Sequence, residues 1–86
     1  MKLREIRGKI DAVDQQLLAL LEERFALAGQ VAQYKKEHSL PVKDAGREAE
    51  LLRRLREQAR PALADDILPL FAAIIEASVR YQERLL

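Results

Sequence analysis

The chain has no cysteine, no tryptophan and one histidine, His38, among its 86 residues. Disulfide frameworks, Cys/His zinc sites, thiol nucleophiles and histidine-based triads are therefore excluded. Glycine and proline number three each, too few to punctuate a sheet protein, whereas the good helix formers Leu, Ala, Glu, Arg and Gln dominate. No apolar run reaches the length of a membrane span, and the opening Met1-Lys2-Leu3-Arg4-Glu5 lacks the apolar segment of a signal peptide. Nor is there an excess of one charge: 15 Lys and Arg face 14 Asp and Glu, for a formal net charge of +1. Nothing in that balance calls for nucleic acid or an anionic membrane. The length allows one domain, residues 1–86, with a core near the lower limit of independent stability. The expectation is a cytoplasmic, all-α protein.

Two breaks divide the chain. Ser39-Leu40-Pro41-Val42-Lys43 interrupts the first helical pattern, because a residue before proline avoids the helical region. Arg60-Pro61-Ala62-Leu63-Ala64 interrupts the second. Three helices are expected, over about 3–38, 45–59 and 66–85. Asp44 is placed to cap the second, and Asp65 or Asp66 the third. With Asp66 as cap, Pro69 falls in the first turn, where its missing N–H costs little. Gly8 lies inside the first helix, at up to ~1 kcal/mol relative to Ala, with no function to account for it.

A first helix of that length would run ~54 Å. A compact chain of 86 residues has a radius of gyration near ~12 Å. The helix must then project from its own subunit, although its apolar stripe (Leu3, Ile6, Ile10, Val13, Leu17, Leu20, Leu21, Ala28, Val31) continues nearly end to end. Two shorter helices cannot cover that stripe. An intertwined homodimer in a helical bundle is the simplest way to do so.

The stripes also carry polar groups where apolar ones belong. At ~100° per residue, Arg24 projects beside Leu17 and Val31, and Lys35 beside Leu17 and Ala28. Arg7 and Asp14 sit at the stripe's edge. In the third helix Ser78 and Gln82, an i, i+4 pair, occupy the middle of a stripe running Ile67, Phe71, Ile74, Ile75 and Leu85. In the second, Glu48 falls on the Leu51, Leu52, Leu55, Ala59 face, with Arg47 beside it. Each case has an ordinary explanation: snorkelling stems for the cations, a backbone-bonded Ser, a register-setting Gln, a carboxylate near a helix N-terminus. Together they point elsewhere, since buried charge is costly unless paired or ligated. Facing stripes would gather these groups into one cation-rich cavity, suited to a small polyanion carrying a hydroxyl for the one carboxylate. With no nucleophile–base pair and no metal set, the constellation suits positioning and electrostatic stabilisation.

The strings Ile6-Arg7-x-x-Ile10-Asp11-x-Val13-Asp14-x-x-Leu17-Leu18-x-Leu20-Leu21-x-x-Arg24, Val31-x-x-Tyr34-Lys35, Pro41-Val42-x-Asp44-x-x-Arg47-Glu48 and Ile74-Ile75-x-x-Ser78-x-x-x-Gln82 resemble the all-helical chorismate mutases. Four blocks in order cover nearly the whole chain. The resemblance implies a Claisen rearrangement of chorismate to prephenate without any cofactor, in phenylalanine and tyrosine biosynthesis. It also implies an intertwined dimer with two sites, each built from both subunits. By the same resemblance, Arg24 binds one substrate carboxylate and Arg7, from the partner subunit, the other. Lys35 bridges a carboxylate and the ether oxygen, and Gln82 donates to that oxygen. Glu48 accepts from the ring hydroxyl with the Asp44 backbone nearby, while Arg47 and Ser78 complete the carboxylate shell. One departure is Phe25, which follows Arg24 where a polar residue is common in the family.

Two other readings stand beside this one. An isochorismate-pyruvate lyase has the same fold and related chemistry, although the complete Asp44/Arg47/Glu48 group and Ser78 favour the mutase. A non-enzymatic helical dimerisation module would use the polar stripe residues to set register. A helix-turn-helix DNA binder is more distant, for want of a basic recognition face.

Overall fold

The computed structural model describes residues 2–86, and three helices account for most of them: α1 (Leu3–Glu37), α2 (Ala45–Gln58) and α3 (Pro61–Arg84). No strand is present among the described residues. α3 packs against both α1 and α2, while α1 and α2 do not pack on each other. The core therefore lies along α3: its buried apolar residues are Ala64, Leu68 and Ile75 of α3, with Ala28 and Ala32 of α1. None of the described helices is long and apolar enough to cross a membrane.

α1 and α2 follow the expected bounds to within a residue, and their ends show why. α1 stops in a Schellman turn. Ser39 takes the left-handed conformation (φ 54°), its N–H donates to Lys36 O (3.3 Å), and Leu40 N–H donates to Lys35 O (2.8 Å). α2 begins at Asp44, whose Oδ1 accepts from the Arg47 backbone N–H at 3.0 Å, as its sequence position suggested.

α3 starts five residues before the expected point, and three expectations change with it. Pro61 opens the helix, its fixed φ suiting the first helical position, so the break is confined to Ala59 and Arg60. Neither Asp65 nor Asp66 is a cap, since both lie within the helix. Asp65 instead accepts from Arg56 Nη1 of α2 at 3.0 Å. Pro69 is an interior proline, beyond the tolerant first turn. The early start also shifts the buried face: Ala64 and Leu68 enter the core, Ile67 is half-buried, and Leu85 is exposed.

The 35 residues of α1 span about 52 Å and set the longest dimension of the molecule, 55 × 25 × 15 Å, with a radius of gyration of 16.0 Å. Its N-terminal half leaves its apolar stripe in the open: Leu3, Ile6, Ile10, Val13, Leu17 and Leu20 are 40–61% exposed. The accessible surface is 7018 Å², against about 5,200 Å² for a compact monomer of this mass.

Candidate active site

The C-terminal half of α1, the start of α2 and the C-terminal half of α3 line one open cavity of about 310 Å³. Seven of the eight residues singled out from the sequence line it: Arg24 and Lys35 from α1, Asp44, Arg47 and Glu48 from the α2 N-terminus, Ser78 and Gln82 from α3. Its apolar wall includes Val31, Leu51, Ile75 and Val79. α3 lies alongside both α1 and α2, whose backbones stay apart, so groups far apart in sequence converge.

Arg7 is the exception. It is exposed, outside the cavity, and about 26 Å along the α1 axis from Arg24. Within one chain it cannot reach the other seven.

Several of the lining groups are held by local structure. Lys35 occupies the last turn of α1, half-buried, and its Nζ donates to the Val42 carbonyl of the linker. The ammonium has three N–H groups, so two remain for a ligand. Glu48 follows directly from the Asp44 cap: its N–H donates to Asp44 O at 3.0 Å. Its carboxylate accepts from Lys43 Nζ at 3.1 and 3.0 Å, one bond to each oxygen. Ser78 and Gln82, one turn apart on α3, are the two buried polar residues of the described chain, at 5% and 8% exposure. Gln82 Nε2 lies 3.4 Å from Ser78 Oγ, and Gln82 Oε1 is buried without a partner among the described residues.

Three cations (Arg24, Lys35, Arg47) and two carboxylates (Asp44, Glu48) line the cavity. Asp44 Oδ1 is engaged by the α2 backbone and Glu48 by Lys43, which leaves the cationic groups as the part of the wall that lacks counter-charge. Such a wall favours an anionic ligand, and Arg is suited to grip carboxylates bidentately. A larger hollow of about 990 Å³, on the face of α1 and α3 where Phe25 meets Tyr81, differs in character. Phe25 packs edge-on against Tyr81, ring centroids 5.4 Å apart. Around it Glu22 and Glu83 offset Arg80 and Arg84, so it presents no excess of either charge.

The sequence reading missed the two linker groups that engage site residues, Val42 O and Lys43 Nζ. Both stand within the Pro41-Val42-x-Asp44 block, Lys43 as its unspecified position. Helical periodicity carries no information across a linker, so no wheel projection could have placed them.

The chain is similar to known proteins along most of its length. A family model described as chorismate mutase type II matches residues 6–83. The chorismate mutase of Methanocaldococcus jannaschii is 34% identical over 87 aligned positions, covering 99% of this chain and 88% of that protein. The bifunctional chorismate mutase/prephenate dehydratase of Escherichia coli strain K12 is 46% identical over 83 residues, covering 94% of this chain but 22% of its own length. The T-protein of Haemophilus influenzae is 34% identical over 74 residues, 80% of this chain and 20% of that protein. The matched span runs through all three helices, and the chain belongs to the chorismate mutase type II family.

Proposed function

We propose that the chain catalyses the rearrangement of chorismate to prephenate, in a cavity completed by a second copy of itself. The observation that carries this reading is the convergence of Arg24, Lys35, Arg47, Glu48, Ser78 and Gln82 on one small cavity. Chorismate is a dicarboxylate with an enolpyruvyl ether and a ring hydroxyl, and these groups complement that wall. In the rearrangement the ether C–O bond breaks as a new C–C bond forms, in one cyclic shift of electron pairs. No proton or electron is exchanged with the protein, so the enzyme's part is to hold the compact conformer and stabilise charge on the breaking ether.

In this reading Arg24 grips one carboxylate, with Arg47 and Ser78 adding to that shell. Lys35 reaches a carboxylate and the ether oxygen, and Gln82 donates a second hydrogen bond to the same oxygen as its negative charge grows. Glu48, with the Asp44 backbone beside it, accepts from the ring hydroxyl. A second anionic carboxylate needs another cation, and Arg7 of a partner subunit supplies it.

Two features support the dimer. The chain exposes about 1,800 Å² more than a compact monomer of its mass, within the about 1,000–2,500 Å² per subunit that obligate homodimers bury. The excess is concentrated on the apolar N-terminal half of α1, the half that bears Arg7. We take the enzyme to be cytoplasmic, as the sequence suggests.

The experiment is chorismate turnover by the purified protein beside its Arg24→Ala variant. The wild type is expected to form prephenate, and the variant to retain helical content and native mass while losing turnover. A dimerisation module would show a folded dimer and no turnover in either.

A further inference from the structure

Consecutive linker residues reach two opposite charges of the cavity, Lys35 and Glu48. The Val42 carbonyl accepts from Lys35 Nζ, and Lys43 Nζ donates to both oxygens of Glu48, at 3.1 and 3.0 Å. On the other side of Lys43, Asp44 is fixed by its bond to the Arg47 N–H. Lys43 thus projects from a backbone pinned at both neighbours, although its side chain is 64% exposed; that of Glu48 is 21% exposed.

We propose that Lys43 is a positioning residue that sets the Glu48 carboxylate for a substrate hydroxyl, a role that rests on the function proposed above. A carboxylate on a free glutamate stem samples several rotamers, and ordering it has an entropic cost at each binding event. An ionised carboxylate has about four acceptor sites. Lys43 occupies one on each oxygen, fixing the plane of the group, and one on each stays open. The hydroxyl then meets an acceptor already in place. Lys43 touches no substrate in this arrangement; it acts through Glu48.

An exposed lysine near an anion-binding cavity has a simpler possible role, general attraction of the substrate, and the two differ in a way kinetics can read. The ring hydroxyl is bound alike in ground state and transition state, so a loss of positioning raises KM and leaves kcat nearly unchanged. That loss also depends on Glu48, whereas general attraction does not.

The test is steady-state kinetics on chorismate with the full-length protein and its Lys43→Gln, Lys43→Arg, Glu48→Gln and Lys43→Gln/Glu48→Gln variants. Lys43→Gln is expected to raise KM about fivefold, the scale of a well-formed exposed ion pair, with kcat held within about twofold. Lys43→Arg restores KM, and Lys43→Gln has no further effect on kcat/KM in the Glu48→Gln background. Wild-type kinetics in Lys43→Gln would overturn the proposal, as would an equal drop in both backgrounds, which is the signature of general attraction. An inactive wild type would overturn the proposed function itself, and this role with it.

Discussion

Gln82 and Ser78 meet inside the cavity through a long contact, Nε2 to Oγ at 3.4 Å, while the other end of the Gln82 amide is buried and unpartnered. An unsatisfied buried acceptor costs about 1–3 kcal/mol. A half-turn of the amide resolves it: the Ser78 hydroxyl, which can donate as well as accept, serves Oε1, and Nε2 becomes free to donate elsewhere. A ligand with an acceptor oxygen in the cavity favours that orientation. The pair is therefore poised for an acceptor such as an ether oxygen, and Ser78 helps to decide which way the amide points.

The first prediction follows from that amide. A neutral amide donates at any ordinary pH, whereas a carboxyl donates only when protonated. Gln82→Glu should retain turnover chiefly at acid pH and lose about 10²-fold or more above neutrality, the scale of one lost donor to a developing oxyanion. A pH profile of kcat/KM checks this. Equal activity of the variant above neutrality would count against a bond from Gln82 to the ether oxygen.

The placement of Arg7 gives a second. Arg7→Ala and Arg24→Ala should each be inactive alone, yet a mixture allowed to exchange subunits should regain activity. Random exchange makes half of the dimers mixed, and each mixed dimer has one of two sites with both arginines, so about a quarter of all sites are restored. Turnover of the mixture after exchange measures this. No recovery, with mixed dimers demonstrated by native mass, would place Arg7 in its own subunit's site or in none.

Ser39 carries the third. It holds the left-handed conformation that closes α1 (φ 54°), a position glycine takes without steric cost. Ser39→Gly should stabilise the fold by about 0.5–1 kcal/mol, read as a higher urea midpoint with an unchanged slope. An unchanged or lower midpoint would contradict a strained turn.

Pro69 gives a fourth, of opposite origin. It sits inside α3, where its ring crowds the carbonyl four residues back and supplies no N–H to it. Pro69→Ala should raise stability by up to ~3 kcal/mol, measured by thermal unfolding at fixed protein concentration so that dimer mass action is held constant. A lower melting temperature would show that the proline is needed where it stands.

The sequence makes the helices and most of the site legible, and particular residues show the limits. Arg24, Lys35, Ser78 and Gln82 stand out because each interrupts an apolar stripe with a fixed period, and that period survives folding. Asp44 is readable as a cap because capping is local. The start of α3 is not, because Pro61 suits both a break and a first helical turn, and only the packing of Ala64 and Leu68 on the other helices decides between them. Lys43 and Val42 escape for a different reason. Their partners, Glu48 and Lys35, are reached through an irregular linker whose path depends on Ser39 adopting a conformation that its residue type does not advertise.

The central claim is that these converging groups rearrange chorismate, and direct product analysis tests it most plainly. Purified protein incubated with chorismate and a chelator should form one equivalent of prephenate for each chorismate consumed, with no pyruvate released. Chorismate left unchanged, or consumed with pyruvate in place of prephenate, would contradict the account.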